Sequence, residues 1–347
     1  MFTVIRKLIV ISALAGVAGC ASIDFDAPKP ESYVLPETND TYLHSQVRDY
    51  VALHPDQAGF YPIYDGVDSL ALRLLLAERA EKSIDAQYFL IHDDLVGNLF
   101  IQSLLAAANR GVRVRFLLDD VLSQGLDPGL AILNSHENFE VRIFNPFAHR
   151  KFRALDAPTS LGRITRRMHN KSFTVDNQIT LIGGRNIADE YFNARNDVRF
   201  GDLDVLTIGP TVSEVSNMFD AYWNHAAAVP ITQLAEVPEG SDRTLAEYHE
   251  KVSASLDEVE ASQYAAAVRK SLEEYVGTGA DAFIWADYDV VFDTPDKVET
   301  DTTGTEDSIV VQMSDDIGEI QEELFVVTAY LVLDDAEVEG FRNLVDR

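Results

Sequence analysis

Apolar positions in the middle of the chain follow two spacings. Leu70, Leu74 and Ala77 fall on one face of a helix that Asp68 or Ser69 can cap, and Ser83 to Ile91 follows as a run rich in β-formers. Leu95 to Arg110 reads as a second helix closed by Gly111. Val112 to Leu118 is a nearly all-apolar strand interrupted by Arg113 and Arg115, and Phe139 to Phe144 predicts another. Met168 to Val175 and Gln178 to Gly183 predict two more strands, joined at Asp176-Asn177, a pair suited to a tight turn. Asp204 to Ile208 is the next strand and Val212 to His225 the next helix. Strands alternating with helices of this length imply right-handed crossovers. The expectation is an α/β fold with a mixed, largely parallel sheet flanked by helices.

Outside this core the pattern changes. Ala21 to about Pro55 holds Pro28, Pro30, Pro36 and Pro55 with little apolar periodicity, and reads as an extended tether. Between Glu236 and Asp316 the chain is heavily acidic, with a helical first part and one strand at Ala282 to Phe292 before Pro295 and the Thr300 to Gly304 tract break it. Such a run reads as a solvated face. The stretch Ala86 to Asp94 and its following helix resemble Thr328 to Asp335 and the residues after it, so a second copy of the β-α unit is expected to begin near Glu319. The divisions expected are a leader at 1–19, a tether at 20–56, a main domain at 57–235, an acidic connector at 236–316 and, at 317–347, the start of an incomplete second repeat.

Composition narrows the function classes. Hydrophobic residues at 46% and charged ones at 24% exclude a disordered or multi-span chain. Fifty-seven acids against 28 bases leave −29, which disfavours nucleic acid as a partner. The charge is uneven. From Val141 to Lys171 the bases are Arg142, Arg150, Lys151, Arg153, Arg163, Arg166, Arg167 and Lys171, and the single acid is Asp156. This island leads into the chemistry below and can draw an anionic headgroup, unless its arginines pair with acids elsewhere. A single cysteine, Cys20, removes disulfide frameworks and Cys-rich zinc sites.

That cysteine ends an apolar run, Leu8 to Ala18, preceded by Arg6 and Lys7, the pattern of a secretory signal. Val17-Ala18-Gly19-Cys20 resembles the lipobox of bacterial lipoproteins. The resemblance implies lipidation of Cys20, membrane anchoring and a periplasmic location, and Ala21 in place of an Asp tilts it toward the outer membrane. The plainer alternative is an unmodified cysteine near an ordinary cleavage site.

His169 and Lys171 are two apart, so on a strand they face the same way and converge on one phosphate. A neutral imidazole is a nucleophile at phosphorus, and an ammonium neutralises oxygens that gain charge in the transition state. Gly183 and Gly184 let a backbone approach closely, Asn186 offers an amide donor, and Arg166 and Arg167 stand just ahead. Asp176 either serves the chemistry or simply makes the turn. Carboxylates and histidines with metal-ligand spacing are lacking near His169, so the expected site uses no metal and no cofactor.

His169, Lys171, Asp176, Gly183, Gly184 and Asn186 together fit H-x-K-x4-D-x6-G-G/S-x-N, which resembles the signature of the phospholipase D superfamily. Gly59-Phe60-Tyr61-Pro62, Gln87-Tyr88, Leu118-Asp119-Asp120, Gly184-Arg185-Asn186-Ile187-Ala188-Asp189-Glu190 and Asp202-Leu203-Asp204 are similar to its cardiolipin-synthase-like, phosphatidyltransferase branch. The resemblance implies a phospholipase D-like sandwich and two-step, metal-independent transfer on a membrane phospholipid, anionic and phosphatidylglycerol-like. It implies that His169 forms a phosphohistidine, that Asp202 orients its imidazole, and that Lys171, Asn186 and the glycines bind the phosphate. With water as acceptor the same site is a hydrolase. Two-motif members of that family join two such halves, whereas one copy of the full motif is present here. Three readings stay open: a fragment or truncated reading frame, a homodimer that completes the site, and a lipid-binding remnant without turnover.

Overall fold

The segment read as a tether contains a helix. Thr41 caps α1 (Tyr42–Leu53), its hydroxyl accepting the His44 N–H at 3.3 Å. Leu43, Val47, Tyr50 and Val51 form one apolar stripe that packs on the core. Four prolines around this stripe hide it from a reading by composition. The computed structural model describes residues 23–150, 162–194, 201–236 and 279–300, with shorter stretches between and after them. Cys20 and the expected leader lie outside the described residues.

After β1 (Ala58–Ile63), Asp65 rather than Asp68 or Ser69 caps α2 (Gly66–Arg79), accepting the Val67 and Asp68 N–H groups at 2.7 and 3.2 Å. Two β-α units follow: β2 (Ser83–Tyr88) with α3 (Leu95–Asn109), then β3 (Arg113–Asp119) with α4 (Asp127–Leu133), leading into β4 (Phe139–Phe144). Gly111, at φ 95°, supplies the left-handed turn after α3 that other residues resist. Next come the hairpin β5 (Ser172–Val175) and β6 (Ile179–Gly183), then β7 (Asp204–Ile208), α5 (Pro210–Asn224) and β8 (Ala228–Pro230). Of the strand expected at 282–292 only β9 (Ile284–Ala286) pairs, and α6 (Leu272–Val276) precedes it. A last helix, α7 (Asp335–Val345), stands where the second repeat predicts one, while the strand expected before it at 328–333 lies outside the described residues.

The sheet is mixed and nine-stranded, in the order β8-β4-β3-β2-β5-β6-β7-β1-β9. Among the described residues the parallel strand pairs are β2·β3 and β3·β4, and the other six pairs are antiparallel, so the expectation of a largely parallel sheet is corrected. Parallel neighbours require a helical crossover, which α3 and α4 provide, but β5, β6 and β7 follow one another with no α-helix between them among the described residues and turn back. Helices α2 and α3 cover one face and build the larger core cluster. On the other face Val215, Met218, Phe219, Tyr222 and Trp223 of α5 meet Leu117, Phe144 and Met168 in a smaller one. Among the described residues no helix is long and apolar enough to cross a membrane.

This topology gathers the carboxyl ends of β1, β2, β3, β4 and β6 with the amino ends of β5 and β7 along one edge of the layer. In open α/β sheets ligands collect at such an edge.

Candidate active site

His169 and Lys171 arrive at this edge on a lead-in to β5 rather than on the strand itself, which begins at Ser172. Pairing of Gln87 with Ser172 continues the β2 chain to Phe89, opposite that lead-in. Both side chains collect on the Phe89 ring. The His169 ring meets it edge-on, centroids 4.7 Å apart, and Lys171 Nζ stands 5.6 Å from its centroid. Lys171 Nζ also donates to the His169 carbonyl at 2.8 Å. The imidazole and the ammonium thus share an aromatic platform, an arrangement that strand alternation does not produce.

Asp119 holds the lead-in in place. Its carboxylate takes a fork from Arg167, Nη2 to Oδ1 at 2.6 Å and Nε to Oδ2 at 3.1 Å, and the Met168 N–H at 3.0 Å. Arg167 is therefore a structural strap, and its expected role as a phosphate ligand is corrected. Three more arginines of the basic island are paired with carboxylates, while Arg163 donates to the Asn145 side chain and the Pro146 carbonyl. Arg150 pairs with Asp120 and Asp127, Arg153 with Asp120 at 3.0 Å, and Arg142 with Glu140 at 2.7 Å. Arg166 is half-buried on the same lead-in, and Lys151 lies outside the described residues. His149, Lys151 and Asp156 repeat the His-x-Lys-x4-Asp spacing without the glycines, and there His149 Nδ1 is bonded to Asp156, tying down a loop.

Gly183 and Gly184 serve a close approach by carboxylates. A Cβ on Gly183 would overlap Asp204 Oδ1 and the Leu203 carbonyl, and one on Gly184 would overlap both Asp202 oxygens. Asp202 is thus placed beside β6, where its charge acts on Lys171. Its Oδ1 accepts the Leu203 N–H at 2.8 Å, and Oδ2 has no partner among the described residues. No bond from Asp202 to His169 forms, and the expected orienting role is corrected, because the Gly183–Asp204 register sets Asp202 over Gly184. Asn186 is buried, its Nδ2 donating to Tyr191 Oη at 3.1 Å, with Oδ1 unpartnered among the described residues.

Of the two readings of Asp176, its contacts fit the turn and not the chemistry. It sits at the far end of β5 from His169, fully buried at φ 52°, and accepts the N–H groups of Glu81, Lys82 and Ser83 at 3.0, 2.7 and 2.9 Å. It ties the hairpin to the α2–β2 corner. Asp176→Ala strands these donors, at about 1–3 kcal/mol for each one left buried. The expected outcome is a loss of about 2–3 kcal/mol in urea unfolding, with activity per folded molecule within about twofold of wild type.

The electrostatics suit a neutral nucleophile beside a cation. Crowding on its inner side, then the charges of Lys171 and Lys297, press the His169 imidazole down to about 4, while its outer edge stays exposed. Burial lowers the Lys171 ammonium to about 8 against the opposing pull of Asp202, Asp204 and Asp119. Lys297 comes from the acidic stretch, and a lone lysine among acids carries no signal in the sequence. One group among the described residues could hold a metal ion: His92, Asp94 and Glu190, with ligand atoms within 4.8 Å of one another. It borders a cavity of about 400 Å³ also lined by Leu122 and Asp189.

Residues 75–223 match the family model described as cardiolipin synthase, PLD-like domain. The chain is 40% identical over 305 residues to cardiolipin synthase C of Escherichia coli (strain K12), covering 87% of this chain and 63% of that protein. It is 29% identical over 343 residues to an uncharacterized protein of Helicobacter pylori (strain ATCC 700392 / 26695), covering 95% of this chain and 65% of that one. The chain thus spans less than two thirds of the length of these relatives. Among solved structures, the phospholipase D family member Nuc from Salmonella typhimurium aligns with a TM-score of 0.34 at 19% identity, over 48% of this chain and 95% of that one.

Proposed function

The chain carries a PLD-like domain over residues 75–223, and from that premise we propose that it is a phosphatidyltransferase of the cardiolipin-synthase type. The observation that carries this reading is the pairing of a neutral, accessible imidazole with a buried ammonium on the Phe89 ring. A ring nitrogen of His169 attacks the phosphorus of an anionic phospholipid such as phosphatidylglycerol. The bond from phosphorus to the headgroup oxygen breaks, the headgroup leaves as an alcohol after taking a proton, and the phosphatidyl group stays on nitrogen. Lys171 meets the charge that builds on the non-bridging oxygens. In the second step the hydroxyl of another phosphatidylglycerol gives up its proton, attacks phosphorus and frees His169. Both steps need a proton carrier, a role that a second imidazole, from a second copy of this chain or from a second motif, would fill. Lipidation of Cys20 at the periplasmic face would keep such an enzyme beside its substrate, and remains part of the proposal.

Hydrolysis is the second reading, favoured by the exposure of the His169 ring, which leaves the phosphohistidine open to water. Labelled phosphatidylglycerol in vesicles separates the two. Cardiolipin and glycerol are the expected products; phosphatidic acid assigns hydrolysis, and the absence of any product overturns both. A rate rising with the square of protein concentration marks a site shared by two copies, and a linear rate overturns the shared site.

A further inference from the structure

The turn at Pro295–Val298 lies outside the motif and outside residues 75–223, in the stretch that the sequence reads as a solvated connector. Its end is built into the core. Val298 is 3% exposed and packs with Phe144, Met168, Met218 and Tyr222, and Met168 is the residue before His169. Polar contacts pin the turn to the same region. Tyr222 Oη donates to the Asp293 carbonyl at 2.6 Å, the Ile309 N–H to Asp293 Oδ1 at 2.9 Å, and His225 Nε2 meets Asp296 Oδ1 at 3.2 Å. Lys297 is drawn inward across one helical turn, its Nζ 2.9 Å from Asp293 Oδ2 and its side chain 13% exposed. The ammonium is thereby ordered in advance, so little side-chain entropy remains to be lost when an anion arrives.

Lys171 leaves such a cation work to do. Its ammonium already donates to the His169 carbonyl and lies within the field of Asp119, Asp202 and Asp204. A phosphodiester presents two non-bridging oxygens, both of which gain charge as the nucleophile adds. We propose that Lys297 is a second phosphate-binding cation of the His169 site, supplied by the 293–298 turn and taking one non-bridging oxygen of the phosphodiester. This rests on the reading of His169 given above. It also makes the acidic stretch part of the active site, so that the PLD-like domain alone is short of one ligand.

The test uses the full chain, inorganic phosphate as the probe, and the His169 ring resonances in NMR. In wild type, phosphate is expected to shift those resonances. Lys297→Gln is expected to weaken phosphate binding about tenfold and Lys297→Arg no more than about threefold. Without phosphate, the His169 titration midpoint is expected to rise in Lys297→Gln and to hold in Lys297→Arg, a response that a merely structural lysine would not give. Equal phosphate binding by Lys297→Gln overturns the assignment of Lys297 and leaves the reading of His169 standing. A wild-type chain whose His169 resonances ignore phosphate overturns both.

Discussion

On the proposed reading, His169→Gln is expected to remove turnover, by at least about 10⁴-fold, in a protein that still folds. Glutamine keeps a polar group of similar reach but cannot form the bond to phosphorus, so the loss falls on the chemical step and not on substrate capture. The ring is exposed and makes its one aromatic contact with Phe89, so the variant is expected to unfold within about 0.5 kcal/mol of wild type. A covalent adduct offers the sharper measurement. With a substrate labelled at phosphorus, wild type quenched in alkali should retain label, because a phosphoramidate survives there, and His169→Gln should retain none. Label kept by the variant would place the nucleophile elsewhere.

The pH dependence follows from the same two groups. His169 acts as the neutral imidazole, so kcat/KM rises as pH passes upward through about 4 and then levels. Lys171 acts as the ammonium, so kcat/KM falls as pH passes upward through about 8. The expected profile is a plateau between those limbs. An acid limb near the ordinary histidine value of about 6.5 would mean that neither the burial of the ring's inner side nor the neighbouring lysines act on it as the geometry requires.

Local order was legible where the chain alone decides it. β4 begins and ends at Phe139 and Phe144 as its apolar run predicts, and α3 runs from Leu95 to Asn109 because Asp94 and Gly111 mark its two ends. The hairpin at Asp176-Asn177 follows from two residues that tolerate positive φ, and both adopt it, at 52° and 51°. His169 and Lys171 were found through their spacing, since the motif compresses a three-dimensional constellation into one short stretch. Partner choice was not legible. Arg166 and Arg167 were assigned to phosphate by nearness in sequence and Asp202 to the imidazole by the family resemblance, yet Arg167 finds Asp119 on β3 and Asp202 is set over Gly184 by the β6–β7 register. The first outcome depends on β3, far back in the chain, and the second on how β6 and β7 align. Lys297 is the extreme case, reaching the site through Val298 and Tyr222, with nothing in its neighbours to announce it.

Below the site lies the contact whose loss costs most stability. Asp204, fully buried, accepts Arg73 Nη1 at 2.9 Å and the Ser69 hydroxyl, and stands 3.5 Å from Arg185 Nη1. Arg73 is itself 1% exposed, with Tyr88 Oη at 3.0 Å and the Ser69 carbonyl at 3.1 Å as its other partners. A guanidinium cannot shed its proton inside a protein, so Asp204→Ala leaves a buried charge without its counterion. The expected cost is about 3–5 kcal/mol in urea unfolding at neutral pH, much of the stability a domain has. Arg185 keeps the Tyr64 carbonyl at 2.8 Å, so the stranded charge is mainly that of Arg73. Replacing both partners by apolar residues, Arg73→Met with Asp204→Leu, is expected to recover most of the loss, since the expense lies in the unpaired charge and not in the absence of a bridge. Activity should not recover with it. The Asp204 carboxylate also supports the Lys171 ammonium, so removing it lowers that group further and moves the alkaline limb of kcat/KM to lower pH in the single and the double variant alike. If instead the limb returns to its wild-type position when stability is restored, Asp204 serves the fold alone. If it stays shifted, the carboxylate that closes the core also joins Asp202 in keeping the Lys171 ammonium charged.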